Sequence, residues 1–381
     1  MENQKLTILF LGSAESIHTL KWVKYFSEKG HKTYLVSYVP LLKDYDIGNI
    51  ELYFFKKEVP IEIWPFNTLF NLPFNLSRII KLINKIKPDI IHAHYVTSYG
   101  TISSLVGFHP LVITAWGSDI LITPKKFLPS KWAVKYALSK ADLITCDAGH
   151  VKEAMTKLGV KESKIRIINF GIDTQKFIPG LKDVKLKEKL GFANSRIIIS
   201  LRNLEPIYDI GTLIKSAPAV LKEVPEVRFI IIGKGSQGQE LKNLSKTLGI
   251  ENKIQFLGQI PNDELPKYLR IADVYVSTSL SDGGIAASTA EAMACGLPVV
   301  ITNVADNKEW VANGENGFLI PVKNPHLLAE RIIYLLKNEN SGKKFGELNR
   351  GIIKERNDYY KEMAKMGEIY RELIVNKRQI K

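Results

Sequence analysis

Cysteine is nearly absent from this sequence: Cys146 and Cys295 are the two among 381 residues. Two thiols exclude a disulfide framework and a cysteine-rich zinc site, and they fit a reducing compartment. Long apolar runs are missing too. No stretch approaches the roughly 18 residues that a membrane-spanning helix needs, and the run Leu6–Leu11 is only strand length. The opening residues carry neither a basic n-region nor an extended apolar core, so no signal peptide is expected. There is no low-complexity tract and no short repeat. No zinc-finger spacing or RNP motif is present, and nucleic acid is not an expected partner. With 45% hydrophobic and 24% charged residues, the composition excludes a disordered, collagenous or coiled-coil chain. The length suits two or three domains at roughly 100–200 residues each.

Positive charge is in excess. Lysine and arginine number 53 against 39 aspartate and glutamate, a net +14. The surplus is spread over both halves, which reads most simply as a lysine-rich solvated surface; an anionic membrane or phosphorylated ligands are the functional alternatives.

Short apolar runs alternate with helical patterns along most of the chain. Leu6–Leu11, His31–Tyr38, Asp89–His92, Leu111–Thr114, Asp142–Thr145 and Arg166–Asn169 read as strands of a first half, with a helix at His18–Lys29. The pattern restarts at Arg196–Leu201 and continues through Arg228–Gly233, Ile254–Leu257, Val274–Ser277, Pro298–Thr302 and Gly317–Ile320. Helices are expected at Gly211–Val224, Gln239–Leu248, Glu264–Ile271 and Ala287–Ala294. Continuous apolar runs, as opposed to alternation, indicate parallel strands covered on both faces. The fold class is therefore α/β, doubly wound twice over. The Gly- and Pro-bearing segment Gly171–Gly180 marks the linker. The expected division is an N-terminal Rossmann-like domain over 1–172, a second over 181–355, and a C-terminal helix over 356–381 crossing back to the first. Two such domains would face each other across a cleft, with ligands outside the carboxyl ends of the strands.

Three local patterns are set aside. Gly233-Lys234-Gly235-Ser236-Gln237-Gly238 has the spacing of a dinucleotide fingerprint, but no acidic residue ends the following strand to hold a ribose. A tight turn whose amides approach a phosphate is the plainer account. Asp44-Tyr45-Asp46 resembles a metal–nucleotide motif but stands alone in a loop. His92 and His94 share a face of one strand, without a third ligand for a metal.

The richest stretch runs from Ser277 to Thr302, STSLSDGGIAASTAEAMACGLPVVIT. It reads as strand, Gly-rich turn, helix, Gly-Leu-Pro turn and strand. Gly283 and Gly284 let backbone amides approach a ligand closely. The N-terminus of the following helix favours an anion. Glu291 lies about one turn in, where a carboxylate accepts two hydroxyls, as from a ribose.

This stretch closely resembles the retaining glycosyltransferases of family 4, whose fold is GT-B. Glu291-Ala292-Met293-Ala294-Cys295-Gly296-Leu297-Pro298-Val299 reads like that family's helix signature. Matching pieces follow the family's order: Lys87–His94 (KPDIIHAH), Gly117-Ser118-Asp119, Ala141-Asp142, Phe170-Gly171-Ile172-Asp173, Arg202, Ile232–Gly235, Phe256-Leu257-Gly258, Ala272-Asp273-Val274, Glu309 and Asn316–Leu319. The resemblance covers roughly residues 5–335.

The resemblance implies transfer of a sugar from a nucleoside-diphosphate donor, with retention at the anomeric carbon. It makes Glu291 the ribose-holding residue. Asp282, nine residues earlier where the family has eight, aligns with the first acidic position and, with the amides of Gly283, Gly284 and Ile285, would contact the donor sugar. Arg202 matches the phosphate-binding arginine, whose forked donors suit a diphosphate. Tyr208 stands where the family has lysine, so charge on the leaving group would fall to Arg202, helix dipoles and Lys234. Gly258 and Ile260 would lie beside the base. Trp116 replaces a histidine before Gly117 and would offer its indole N–H or its face to the sugar. Asp119 is expected to organise its loop. On the acceptor side stand Gly12, leaving room after the first strand, with His18 and His94. No acid–base pair stands out, in keeping with the family's front-face mechanism, in which the leaving phosphate helps deprotonate the acceptor. No cofactor or metal is expected.

Partners are then a nucleotide sugar and a glycan or lipid-linked acceptor, with an anionic membrane surface as a further one. Segment Ile61–Ile86, with Trp64, Phe66, Phe70 and Phe74 ahead of its lysines, is either an interfacial element or a packed loop followed by an amphipathic helix. The expected location is cytoplasmic, peripheral to the membrane. Two alternatives are a sugar-nucleotide epimerase of the same fold and a non-catalytic nucleotide-sugar-binding protein.

Overall fold

The computed structural model describes residues 4–43, 45–55, 66–126 and 128–380. The chain divides into two compact units, one of residues 1–170 with 361–381, the other of residues 171–360.

The first unit is built on seven strands: β1 Thr7–Leu11, β2 Lys32–Ser37, β3 Glu51–Phe54, β4 Ile90–His94, β5 Leu111–Thr114, β6 Leu143–Cys146 and β7 Ile165–Ile167. They lie in the order β3-β2-β1-β4-β5-β6-β7, every neighbouring pair parallel. The second unit carries β8 Ile197–Ser200, β9 Arg228–Ile232, β10 Ile254–Gly258, β11 Val274–Ser277, β12 Val299–Thr302 and β13 Gly317–Ile320. Their order is β10-β9-β8-β11-β12-β13, again all parallel. Both are Rossmann-like sheets.

Burial explains why the sequence reads so directly. Ile197, Ile198 and Ile199 of β8, and Val299, Val300 and Ile301 of β12, are fully buried. Helices cover both faces, so these strands need no polar side. The two edge strands of the first sheet are the exceptions: Glu51 and Phe54 of β3 and Arg166 and Ile167 of β7 are exposed. The sequence pattern passes over β3, although Leu52–Phe55 is a short apolar run.

Helices settle near their expected places, at Ile17–Glu28, Ile210–Glu223, Gly238–Thr247, Leu265–Ile271 and Ala287–Ala294. Others emerge that local pattern did not announce, among them Leu128–Lys140 and Pro325–Lys337. The latter begins where the side chain of Asn324 accepts the amide of Leu327 at 3.0 Å, with Pro325 at its first position, a regular helix start.

Of the aromatic segment before residue 86, residues 61–65, including Trp64, lie outside the described residues, as do the side chains of Phe66 and Phe70. The helix Phe66–Ile86 follows. It buries Ile79, Leu82 and Ile83 and exposes Phe74. Asp44 also lies outside the described residues. Its companion Asp46 accepts the amide of Gly48 at 2.8 Å, a local turn contact.

The last helix, Tyr359–Ile380, begins in the second unit and continues in the first. There Met363, Met366 and Tyr370 are fully buried. The ring of Tyr370 lies 5.0 Å from that of Phe26.

Candidate active site

In a doubly wound sheet, ligands bind outside the carboxyl ends of the strands where the strand order reverses. In the second unit that point lies between β8 and β11, which are paired neighbours. Arg202 follows β8 and Asp282 follows β11, and the structure brings them together. The guanidinium donates from Nη2 to the Asp282 carboxylate. Nη1 reaches Ser288 Oγ at 3.4 Å. The guanidinium carbon stands 4.3 Å from the centre of the Tyr208 ring, a cation–π contact. Arg202 is 8% exposed, and its Nε has no hydrogen-bond partner. A buried guanidinium with an unused donor is suited to receive an anion.

The carboxylate side is equally constrained. Burial pushes the pKa of Asp282 up, while the charge of Arg202 pulls it back down; the balance leaves it raised. Ser288 Oγ is hydrogen-bonded to Tyr275 OH at 2.9 Å, and Tyr275 OH also accepts from Thr289 at 3.3 Å. Ser288 and Glu291 are three apart in Ala287–Ala294 and so share a face of that helix. Glu291 is 7% exposed and accepts from Asn262 Nδ2 at 3.3 Å. Asn262 in turn accepts from Lys176 Nζ at 2.6 Å. Ser288, Tyr275 and Asn262 were not singled out in the sequence, because nothing local distinguishes them.

The turn after Asp282 is open where it needs to be. A side chain built on Gly283 would meet nothing within 4 Å, so its backbone is accessible. Gly284 is half-buried, and Ile285 is buried and anchors the turn.

The fingerprint glycines have another explanation. A Cβ on Gly233 would stand 2.4 Å from the carbonyl oxygen of Arg202, and one on Gly235 would stand 2.3 Å from that of Leu204. The two loops also share a hydrogen bond from Leu204 N to Lys234 O at 2.9 Å. Glycine is required there so that one loop can lie on the other, which fixes the backbone carrying Arg202. Lys234 is exposed, and its chain passes 3.9 Å from the position of a Cβ on Gly258. Ile260 is half-buried just beyond.

The first unit gathers the remaining predicted residues in a separate cluster at the carboxyl ends of its own strands. His94 ends β4, is 1% exposed, and neither ring nitrogen has a hydrogen-bond partner. Aromatic rings surround it: Trp22 at 5.2 Å and Trp116 at 5.7 Å between centroids. Trp116 also packs on His18, 5.1 Å between centroids. Burial, with a smaller push from His18, lowers His94 to about 3. Burial and then Lys21 lower His18 to about 4. Both imidazoles are neutral at physiological pH.

Gly12 adjoins this cluster. The room that the sequence suggested there is already occupied in the direction of a side chain, for a Cβ would lie 2.7 Å from Thr19 Cγ2 and 3.3 Å from His94 Cβ. Asp119 is fully buried and accepts the amides of Val96 at 2.8 Å and Trp116 at 3.1 Å. It ties the turn after β4 to the turn after β5. Burial lifts it to about 6 against the pull of those amides. His92 is consumed by structure: its ring is hydrogen-bonded to Tyr370 and, at 2.6 Å, to Thr114. Among the described residues no group of three or more His, Cys, Asp or Glu could hold a metal ion.

Comparison with known proteins gives this geometry its context. Residues 7–148 match the family model "Glycosyl transferase 4-like" and residues 183–351 match "Glycosyl transferases group 1". An uncharacterized glycosyltransferase of Methanocaldococcus jannaschii is 26% identical, with 96% of each chain covered. The UDP-Gal:alpha-D-GlcNAc-diphosphoundecaprenol alpha-1,3-galactosyltransferase of Escherichia coli is 27% identical over 80% of each. In fold, the chain is similar to Anabaena HepE in complex with UDP, with a TM-score of 0.80 at 22% identity, covering 97% of this chain and 100% of that one. A glycosyltransferase from Rickettsia africae gives a TM-score of 0.82 at 20% identity, covering 97% and 99%. Two family models lying on the two sheets, relatives that are glycosyltransferases along most of their length and a shared GT-B fold have one meaning: this chain belongs to the glycosyltransferases of family 4.

Proposed function

We propose that the protein transfers a sugar from a nucleoside-diphosphate donor to a glycan or lipid-linked acceptor, with retention at the anomeric carbon. The observation that carries this reading is the buried Arg202 guanidinium, with one donor unused, beside an open glycine turn and the carboxylate of Glu291.

Asp282 holds the place of an anion in the free protein. The donor diphosphate displaces it, takes the Nη2 and Nε donors of Arg202, and frees the Asp282 carboxylate to accept hydroxyls of the sugar. Glu291 accepts the ribose hydroxyls. The amides of Gly283, Gly284 and Ile285 approach the sugar at the start of helix Ala287–Ala294, and Lys234 adds charge from the neighbouring loop. Gly258 and Ile260 border the base. Tyr208, stacked on the guanidinium, keeps Arg202 oriented without adding charge.

In the transfer step the acceptor oxygen forms a bond to the anomeric carbon on the face from which the phosphate departs. The carbon–phosphate oxygen bond breaks, and the acceptor proton passes to the leaving phosphate. The protein supplies position and electrostatic stabilisation. The cationic work on the leaving group is assigned to Arg202 and Lys234, and no cofactor is invoked. His18, neutral and partly exposed, suits an uncharged hydroxyl-bearing acceptor; Trp116, whose amide is held by Asp119, offers its indole to the sugar, and the buried His94 packs behind them. A lipid-linked acceptor is favoured by the undecaprenol-bearing substrate in the name of the Escherichia coli relative, and would place the protein on the cytoplasmic side of a membrane. Among the described residues no helix is long and apolar enough to cross one.

The test begins with thermal stability in the presence of UDP, GDP, ADP and NAD. UDP comes first because Anabaena HepE was solved with it. A ligand at 100 times its dissociation constant adds about 2.7 kcal/mol, a shift of several degrees. One nucleoside diphosphate should stabilise and NAD should not. Release of that diphosphate from its sugar nucleotide, dependent on acceptor, completes the test. Binding without turnover would reduce the protein to a nucleotide-sugar-binding role, and stabilisation by NAD alone would sink the reading.

A further inference from the structure

The segment from residue 120 to residue 141 contains five lysines and no aspartate or glutamate apart from the buried Asp119 just before it. Much of it forms the helix Leu128–Lys140. One face of that helix, with Ser130, Val134, Ala137 and Leu138, is buried in the first unit. The opposite face is apolar as well. Leu128 is 71% exposed, Trp132 is 72% exposed and Tyr136 is 40% exposed. These three recur every four residues, so they stand in one row along the helix. Ile122, just before the helix, is 54% exposed.

Lysines flank the row. On a helical projection Lys131 and Lys135 fall on one side of it and Lys140 on the other. All three are exposed, and Lys140 Nζ lies 5.6 Å from the Tyr136 ring centre. Beyond Lys135 a pocket of about 400 Å³ continues the cationic border, with Lys161 and Lys164 on its wall and Leu138, Leu158 and Val160 at its apolar base. The carboxylate closest in sequence to that wall, Glu162, is paired with Lys152 at 2.6 Å. An apolar row with a tryptophan, bordered by lysine, is the pattern of a helix lying in a lipid interface, where the aromatic side chains enter the headgroup layer and the ammonium groups meet phosphate.

We propose that this face of helix Leu128–Lys140 docks the protein on an anionic lipid surface. Charge decides the occupant. A second copy meeting the same face would set lysines against lysines, whereas an anionic bilayer complements them. The surface is different from the aromatic segment ahead of residue 86 that the sequence suggested. It deepens the lipid-linked acceptor reading by supplying the contact that brings the enzyme to such an acceptor, but its chemistry does not depend on sugar transfer.

The test is co-sedimentation of the full chain with large vesicles of phosphatidylcholine, with and without phosphatidylglycerol. Binding is expected only with the anionic lipid, weakening as salt rises. The emission of Trp132, isolated by comparison with Trp132→Phe, should shift to the blue on binding. Replacing Leu128 and Trp132 together by serine should abolish sedimentation. Replacing Lys131 and Lys135 by glutamine should weaken it roughly fivefold for each lysine removed and flatten its salt dependence. Neither pair belongs to the proposed sugar-transfer site, so the thermal shift with the nucleoside diphosphate should persist in both variants, which also shows that they fold. Equal binding to neutral vesicles, or undiminished binding by the serine variant, would overturn the proposal. So would a wild-type dimer that the serine variant converts to monomer, since a second copy would then cover the face. Because vesicle binding is read without turnover, failure here leaves the sugar-transfer assay to stand or fall separately.

Discussion

The two units end their strands in opposite chemical styles. At the carboxyl ends of the second sheet, charge is kept: Arg202, Asp282 and Glu291 are all buried or nearly so and held by hydrogen bonds. At the same ends of the first sheet, charge is suppressed. His18 and His94 are driven by burial to about 4 and about 3, and His92 lies well below the ordinary range. The same topology thus keeps paired charge in one half and disfavours ionisation in the other. Burial alone cannot create a charged site; it penalises one unless partners are supplied. The second unit supplies them across the switch point, and the first does not.

The largest expected effect breaks the charged half. Arg202→Ala should cost about 10²–10³ in kcat, the usual range for removing one preorganised donor to a developing negative charge. Arg202→Lys should recover little of that, since an ammonium lacks the fork and the stacking face. Rates measured at saturating donor separate this from simple loss of binding.

The next effect tests the neutral half through pH. The three imidazoles are depressed in the folded protein, so below the unfolded value near 6.5 the unfolded chain binds more protons. Stability is therefore full above about pH 6.5 and is lost as pH falls, by about 1.4 kcal/mol per unit for each histidine. Asp119 acts in the opposite sense. Its folded value of about 6 lies above the unfolded value, so its share is full below about pH 4 and is lost as pH rises toward 6. Between pH 6 and 4 it offsets roughly one histidine, leaving a net loss on the order of 1 kcal/mol per unit from His18, His94 and Asp119, to which His92 adds in the same direction. Urea unfolding at a series of pH values measures the slope. His94→Leu should reduce it by about 1.4 kcal/mol per unit, and an unchanged slope would show that this imidazole is not buried neutral.

Two smaller effects sharpen the comparison. Glu291→Gln keeps one acceptor oxygen and loses the charge; the donor KM should rise about tenfold, a typical loss of one charge-assisted hydrogen bond, with kcat little changed. Tyr208→Leu removes the ring under the guanidinium and should lower kcat/KM by about fivefold, whereas Tyr208→Phe should be nearly silent because the face, not the hydroxyl, makes the contact. A large loss in the phenylalanine variant would instead assign the hydroxyl a direct part in donor binding.

Much of this was legible in the chain. Runs such as RIIISL and RFIIIG are apolar on successive residues, and only a strand buried on both faces uses such a run. Gly283 and Glu291 stood out from the strand–turn–helix chemistry, because a doubly wound sheet places its ligands there, whereas Arg202 and Asp282 were candidates through the family resemblance. What was not legible lies where the chain meets itself at long range. Arg202 and Asp282 are 80 residues apart, and His92 and Tyr370 are 278 apart. Asp119 looked like a loop organiser, yet nothing local said that the loop it fastens begins at Val96. The exposed row on Leu128–Lys140 escaped notice because a helix with apolar residues on both faces shows little periodicity.

The sequence by itself determined the two alternating β/α halves, because strand burial is a local property, and it carried the short motifs through which the family is recognised. The tertiary structure decided which of those groups are partnered. A carboxylate and a guanidinium became one pair with an unused donor, three histidines became neutral, and glycines in a borrowed-looking fingerprint became a seat for another loop. The physical reason is common to all of them. Ionisation, pairing and close backbone approach depend on distance and burial, and these are fixed only when remote segments pack.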